Sequence, residues 1–296
     1  MDFKLEMKKY QEQINHELEK YLKKDACPER ILNESVEYSL MAGGKRLRPI
    51  LVLATYKLFK EDTRLCMPFA MAIEMVHNFS LIHDDLPCMD NDDLRRGKPS
   101  NHKVFGEAAA VLAGDALISF GAQIIIDKTP CSISKEIVLD IVRDYLICSG
   151  AKGIVAGQIA DIEAENKQID LDNLNYIHKY KTGALFKCAI AGAAKIAQTD
   201  NKTLEKLSCY ADNFGILFQI YDDIIDYTLD TKTLGKTAHK DENVNKLTFV
   251  RAWGLDKAKE IFSQKFIQNH AIMDELNIKS EIFDNIYQLM KERTGV

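Results

Sequence analysis

Apolar residues recur at three- and four-residue intervals along almost the whole chain, the spacing that lines one face of an α-helix. The pattern predicts helices over 3–24, 28–42, 48–60, 65–86, 102–127, 132–149, 151–165, 171–197, 201–228, 243–252, 255–273 and 279–293. No run of alternating Val, Ile or Thr bounded by turn residues reads as a strand. All six prolines precede residue 131, each at a predicted helix start, end or kink. Most linkers are short, which favours antiparallel neighbours. The stretches 108–126 and 182–197 are apolar nearly all round, as expected of helices at the centre of a large bundle. With no composition break and no repeat, the expectation is one all-α domain over 1–296, a single large helical bundle.

Composition narrows the class. Net charge is −5 from 39 basic and 44 acidic residues, which argues against a general nucleic-acid binder. Seven scattered cysteines without a C-x-x-C pair point to a reducing compartment, free thiols and no zinc site. Residues 1–24 are charged throughout, so no secretory signal is expected. The best membrane-span candidate, 108–126, carries Asp115, Ser119 and Gln123 as one polar stripe. An Asp at mid-membrane costs about 2.5–3.5 kcal/mol, so a core helix with a polar face fits better. A cytoplasmic protein without an integral membrane segment is expected.

Five aspartates fall within residues 84–93. Clustered carboxylates repel unless a cation neutralises them, and hard oxygen ligands suit Mg²⁺. His77, Ser80 and Asp84 share one helical stripe. Asp90 lies about 240° around an ideal helix from Asp84. Pro87, however, removes a backbone donor, and a loosened turn at 86–89 would bring Asp90 back. The alternative is a solvated acidic helix end. A second cluster, Phe218-Gln219-Ile220-Tyr221-Asp222-Asp223-Ile224-Ile225-Asp226, places Asp222 and Asp226 at i, i+4; a surface acidic pair is the alternative there. Two such clusters on separate helices favour metal sites facing one cavity.

Cationic segments accompany them: Gly43-Gly44-Lys45-Arg46-Leu47-Arg48-Pro49, Arg95-Arg96, Lys181-Thr182 and Leu234-Gly235-Lys236. Guanidinium forks and backbone donors beside glycine are what diphosphate oxygens need. Walker, G-x-S-x-G, H-E-x-x-H and G-x-G-x-x-G patterns are all missing, which disfavours nucleotide-loop, hydrolase, zinc-protease and dinucleotide readings.

Gly43 to Pro49, Asp84-Asp85-x-x-x-x-Asp90 with Leu94-Arg95-Arg96-Gly97, Gly157-Gln158, Lys181-Thr182-Gly183 and Phe218-Gln219-x-x-Asp222-Asp223-x-x-Asp226 together resemble the trans-prenyltransferase (isoprenyl diphosphate synthase) family, and within it the bacterial farnesyl type. The resemblance covers nearly the whole chain. It implies the isoprenoid synthase fold, a helical bundle around a deep central cavity, and a homodimer. It implies that Asp84, Asp85 and Asp90 hold two Mg²⁺ ions and Asp222, with Asp226, a third. Arg95, Lys181 and Lys236 would then bind the allylic diphosphate (dimethylallyl or geranyl). Gly44, Lys45, Arg48, His77 and Arg96 would bind isopentenyl diphosphate. Thr182, Gln219 and the Lys181 carbonyl, with Gln158, would face the developing allylic cation, where rigid oxygen dipoles are suited to stabilise charge. Phe79 and Ser80, five and four residues before Asp84, are implied to set product length, with C15 the expected product. C20 and C10 are the alternatives, and a catalytically silent regulatory subunit is the non-enzyme one. Lys246-Leu247-Thr248-Phe249 departs from the family pattern, so Lys246 receives no firm role.

Overall fold

The computed structural model describes residues 3–24, 27–164, 167, 170–228 and 248–295. The chain divides into two compact units, one of residues 1–146 with 195–197, the other of 147–194 with 198–296.

In the first unit, α1 (Phe3–Lys24), α2 (Arg30–Leu40), α3 (Leu47–Lys57), α4 (Met67–Asp84), α5 (Asn101–Phe105) and α6 (Glu107–Lys128) are followed by α7, which begins at Lys135 and runs on to Ser149. The centre is α4. It starts after a short 3₁₀ turn (Thr63–Leu65), where the Asp62 carboxylate accepts from the Arg64 N–H. Pro68 sits in its first turn, where the missing donor would be unused anyway. Thirteen of its eighteen residues are buried, and the helix packs against α1, α2, α3 and α6. Burying a Leu, Ile, Met or Phe side chain is worth about 1.5–3 kcal/mol, so this segment needs no polar face. Its end is equally legible. The Asp85 N–H still bonds Leu81 O at 3.1 Å, but beyond it Pro87 has no N–H to give and the chain turns.

α6 approaches α4 closely through its small residues. A Cβ on Gly114 would collide with the His83 imidazole. Val111, Leu112 and Ile126 on this helix are exposed, so it is not buried all round as its composition predicts. Asp115, Ser119 and Gln123 are likewise exposed. By length and composition Glu107–Lys128 is one helix that could cross a membrane; here it packs on α2, α4 and α5.

In the second unit, α8 (Ile154–Ala164), α9 (Leu171–His178), a π-helical turn (Lys179–Gly183), α10 (from Ala184 to Ile196, its last residues in the first unit), α11 (Asn201–Thr228), α12 (Phe249–Trp253), α13 (Leu255–Glu275) and α14 (Glu281–Thr294) are described. Phe186, Tyr210, Phe214, Phe283 and Tyr287 form a buried aromatic cluster with ring centroids 5.1–6.4 Å apart. Such contacts add about 0.5–1.5 kcal/mol per pair beyond burial.

Two predicted helices are interrupted, and one hairpin is found that was not predicted. The helix predicted over 102–127 is two, because Gly106 adopts φ +85° between them. The helix predicted over 171–197 is interrupted by the π turn, which a 3.6-residue pattern does not reveal. A two-residue antiparallel hairpin, β1 (Leu94–Arg95) with β2 (Lys98–Pro99), stands where no strand was expected. It turns on Arg96 (φ 53°) and Gly97 (φ 76°). Of the helix predicted over 243–252, the described part begins at Phe249.

Candidate functional site

The first acidic cluster is built by the end of α4. Where Pro87 breaks the ladder, the Asp90 N–H donates to Asp84 O at 2.9 Å and the Asn91 N–H to Leu86 O at 3.1 Å. The turn therefore returns Asp90 to Asp84 despite six intervening steps. Asn91 takes a left-handed φ of 50° to complete it. Asp84 is half-buried and Asp90 exposed.

Asp85 behaves differently. It is 2% exposed, and its carboxylate accepts from Arg95 Nε at 3.0 and 3.1 Å and from Arg95 Nη2. Arg95 also reaches Asp92 at 3.3 Å. Burial pushes the Asp85 carboxyl up, opposed by the Arg95 guanidinium. The resemblance assigns Asp85 to metal and Arg95 to diphosphate; the structure joins them to each other. Consecutive helical residues point about 100° apart, so Asp84 and Asp85 leave the end of α4 in different directions. The crevice beside Asp85, Arg95 and Arg96 measures about 20 Å³, room for a single water.

On α4 itself lies a buried carboxylate that the sequence reading passed over. Glu74 is 1% exposed and accepts from Arg46 Nη1 at 2.5 Å and Asn78 Nδ2 at 3.1 Å. Its other neighbour is Arg96 Nη2 at 3.9 Å. Arg46 also donates to Asn15 Oδ1 and Leu40 O at 2.9 and 2.6 Å. Arg46 is thus a buried structural post of the Gly-Gly-Lys-Arg loop. The loop is pinned further by Arg96 donating to Gly43 O and by Gln11 donating to Lys45 O at 2.9 Å. Gly44 must be glycine: φ is +112°, and a Cβ would lie 2.7 Å from Arg96 Cζ. Lys45 is exposed, and Arg48 and His77 are half-buried. Burial, then the charges of Arg48, Arg96, Arg46 and Arg95, hold the His77 imidazole well below its usual range. It is neutral at pH 7. The signal for Glu74 was a lone acid inside the apolar run 67–82.

Phe79 is buried, its ring edge-on to His83 at 4.8 Å. His83 Nε2 lies 3.0 Å from Val111 O, so α6 fixes the ring against which Phe79 rests. Ser80 Oγ donates to His77 O at 2.9 Å.

The second unit carries Lys181, Thr182, Gln158, Gln219, Asp222 and Asp226. Lys181 and Thr182 occupy the π turn, a wider turn that recurs at functional sites. Gly157 makes room for it: a Cβ there would lie 2.6 Å from Tyr180 C, and on Gly215 2.8 Å from Gly183 Cα. Lys181 Nζ donates to Asp161 at 2.6 Å, and Gln158 and Asp161 are buried on α8. Thr182 Oγ1 donates to Gln219 Oε1 at 3.2 Å, and Gln219 Nε2 donates to Asp223 Oδ1 at 3.0 Å. Asp223, 4% exposed, accepts the Phe249 N–H at 2.7 Å on its other oxygen. Asp222 and Asp226 are half-buried on α11. Asp161 is the residue that the sequence reading missed here, and Asp223 stands in the acidic cluster with no role given to it; both sit one helical turn from a named neighbour, Gln158 and Gln219.

Among the described residues, no three His, Cys, Asp or Glu side chains converge as a metal cluster. The donors are nonetheless hard oxygens, and Asp84 and Asp90 are already drawn together by backbone, which suits Mg²⁺ bridged to a phosphate ligand rather than an all-protein cage. Lys236 and Lys246 lie outside the described residues. All seven cysteines are free thiols.

Residues 29–290 match the polyprenyl synthetase family. The chain is 40% identical to the farnesyl diphosphate synthase of Bacillus subtilis over 281 residues, covering 95% of this chain and 94% of that protein. It is 46% identical over 235 residues to a chloroplastic geranylgeranyl pyrophosphate synthase of Catharanthus roseus, covering 79% of this chain and 65% of the relative. It therefore spans a little under two thirds of that plant protein's length. Among solved structures, a geranyltransferase from Legionella pneumophila superposes with a TM-score of 0.88 at 29% identity, covering 99% and 98% of the two chains. An FPP/GFPP synthase from Zymomonas mobilis gives 0.84 at 35% identity over 98% and 97%. The all-helical fold, the acid-rich turn after α4 and the π turn against α11 thus stand in a chain that belongs to the polyprenyl synthetase family.

Proposed function

We propose that this chain is a prenyltransferase that joins isopentenyl diphosphate to dimethylallyl and then geranyl diphosphate, releasing diphosphate and yielding farnesyl diphosphate. The observation that carries the reading is the hydrogen-bonded chain Thr182–Gln219–Asp223 beside Asp222: oxygen dipoles held in a fixed orientation next to an acid. Support comes from the full-length similarity to the farnesyl diphosphate synthase of Bacillus subtilis.

In this reading residues 1–296 act as one catalytic domain. The allylic C1–O bond breaks and its electron pair leaves with the diphosphate. The isopentenyl double bond then attacks C1, forming the new carbon–carbon bond, and a proton leaves C2 for the released diphosphate. Magnesium, when bound by Asp84 and Asp90 and by Asp222 with Asp226, neutralises the charge that grows on the leaving group. Three ions are proposed. Lys181, Lys236 and Arg95 bind the allylic diphosphate, with Asp85 aiming Arg95. Lys45, Arg48, Arg96, the Gly44 backbone and neutral His77 bind isopentenyl diphosphate. Thr182 and Gln219 oxygens, held rigid by Asp223, face the cation and need no reorganisation as charge develops. No side-chain general base is required. Phe79 and Ser80 set the depth available to the hydrocarbon tail. A cytoplasmic homodimer is proposed with it.

The test is a product assay with labelled isopentenyl diphosphate and dimethylallyl diphosphate, separated by chain length. A dominant C15 product is expected. Absence of any prenyl product would overturn the prenyltransferase reading. A dominant C20 product would keep it and move the chain to the second reading, a geranylgeranyl diphosphate synthase, which the 46% identity to the Catharanthus protein favours.

A further inference from the structure

Away from the acid-rich end of α4, at the opposite end of that helix, lies a groove of about 390 Å³, within the size range of small-molecule sites. One face of α1 lines it with Gln13, Glu17, Lys20, Tyr21 and Lys24, and α4 supplies Met67, Pro68 and Met71. Ile124 and Lys128 of α6 and Arg64 of the 3₁₀ turn close it. All belong to the first unit.

The floor is apolar and fixed, with Tyr21, Met67, Met71 and Ile124 all buried. Four cations from three separate segments stand around it, with one carboxylate, Glu17, in the lining and a second, Asp62, on Arg64. Two of them end their helices, Lys24 on α1 and Lys128 on α6, where the helix dipole alone would favour a positive charge. That accounts for each one, but not for their convergence with Arg64 and Lys20 over an apolar floor. The Lys128 ammonium lies 5.8 Å from the Tyr21 ring centroid, so its charge is held across the groove. Lys20 reaches Glu17 at 3.4 Å, an exposed pair that is weak and redirects easily, whereas Asp62 holds the Arg64 guanidinium in two bonds of 2.7 and 2.8 Å at the rim of the groove. The first turn of α4 also lines the groove, through Met67 and Pro68.

We propose that this groove is a second ligand site that binds a single-chain amphiphile with a phosphate-type head. The hydrocarbon lies along Tyr21, Met71 and Ile124, and the head meets Lys20, Lys24, Lys128 and Arg64. Charge complementarity selects the anionic head, and the recessed floor selects one chain over a flat bilayer surface. The site does not depend on the proposed chemistry.

The test uses decyl phosphate as a monomer, with EDTA present so that metal-dependent sites stay silent, and reads hydrogen exchange by peptide. Saturable binding is expected, with slowed exchange over 13–24 and 120–128. The Lys24→Glu/Lys128→Glu protein should bind about tenfold more weakly while its prenyltransferase rate stays within about twofold. If that variant fails to fold, Lys128→Gln, which keeps the side-chain bulk, is read instead. Equal binding by the variant, equal binding of decyltrimethylammonium, binding of inorganic phosphate as tight as decyl phosphate, or protection only with anionic vesicles would each overturn the proposal.

Discussion

Each acidic cluster contains a pair of adjacent aspartates, Asp84-Asp85 at the end of α4 and Asp222-Asp223 on α11, and the two pairs solve the same problem differently. In both, the second acid is buried, 2% exposed for Asp85 and 4% for Asp223, while the first is half-buried. Asp85 is neutralised by a cation, Arg95. Asp223 accepts from the Gln219 amide and the Phe249 N–H. One inner acid therefore aims a guanidinium, and the other orients an amide and caps α12. The lesson is that a doubled acid is a division of labour. Side chains one residue apart on a helix diverge by about 100°, so one can meet a ligand while the other holds the scaffold.

Breaking the outer acids should have the largest effect. Asp84→Ala or Asp222→Ala is expected to lower turnover by about 10²–10³-fold or more, with helical circular dichroism unchanged. Near-wild-type turnover in both would remove them from the site. Next comes Asp223→Asn, which turns one buried acceptor into a donor facing an N–H. A stability loss of about 1–3 kcal/mol is expected in urea unfolding. A fall in kcat larger than any change in KM should accompany it, because Gln219 loses its orientation. Normal kcat with lowered stability would leave Asp223 a purely structural residue.

Asp85→Asn should be milder in turnover than Asp84→Ala. Arg95 is partly solvated, so the loss is discounted from the buried-pair range to about 1–3 kcal/mol. Adding Arg95→Gln should restore part of it, and a double-mutant cycle measures the coupling. The smallest effect is in pH dependence. His77 is held neutral in the fold, whereas in the unfolded chain it takes up a proton below about pH 6.5. Stability should therefore fall as pH drops through that value, by at most about 1.4 kcal/mol per unit for one proton. His77→Gln should flatten that part of the urea-midpoint profile, and an unchanged slope would contradict the assignment.

Much of this architecture is legible in the amino-acid sequence. The apolar period gives the extent of α11 and α1 to the residue, and Pro87 supplies a reason for Asp90 to return to Asp84. The features that escape such a reading depend on contacts distant in sequence. Asp84 and Asp85 are chemically alike in sequence, and the hydrogen bonds of Asp85 come from Arg95, which arrives on the hairpin. Asp161 and Glu74 are ordinary helical acids by spacing; Lys181 and Arg46, packed against them, give them their roles. The π turn at 179–183 keeps its apolar spacing on both sides, so the interruption leaves no trace in the pattern. Gly106 and the hairpin at 94–99 are too short to carry a period at all.

The division of labour is tested most directly by the magnesium dependence of turnover in two near-isosteric variants, Asp84→Asn and Asp85→Asn. The account predicts that Asp84→Asn raises the magnesium concentration for half-maximal rate by about tenfold or more and lowers the maximum. Asp85→Asn should leave the magnesium midpoint within about twofold while lowering the urea midpoint. Equal shifts of the magnesium midpoint in both proteins would contradict it.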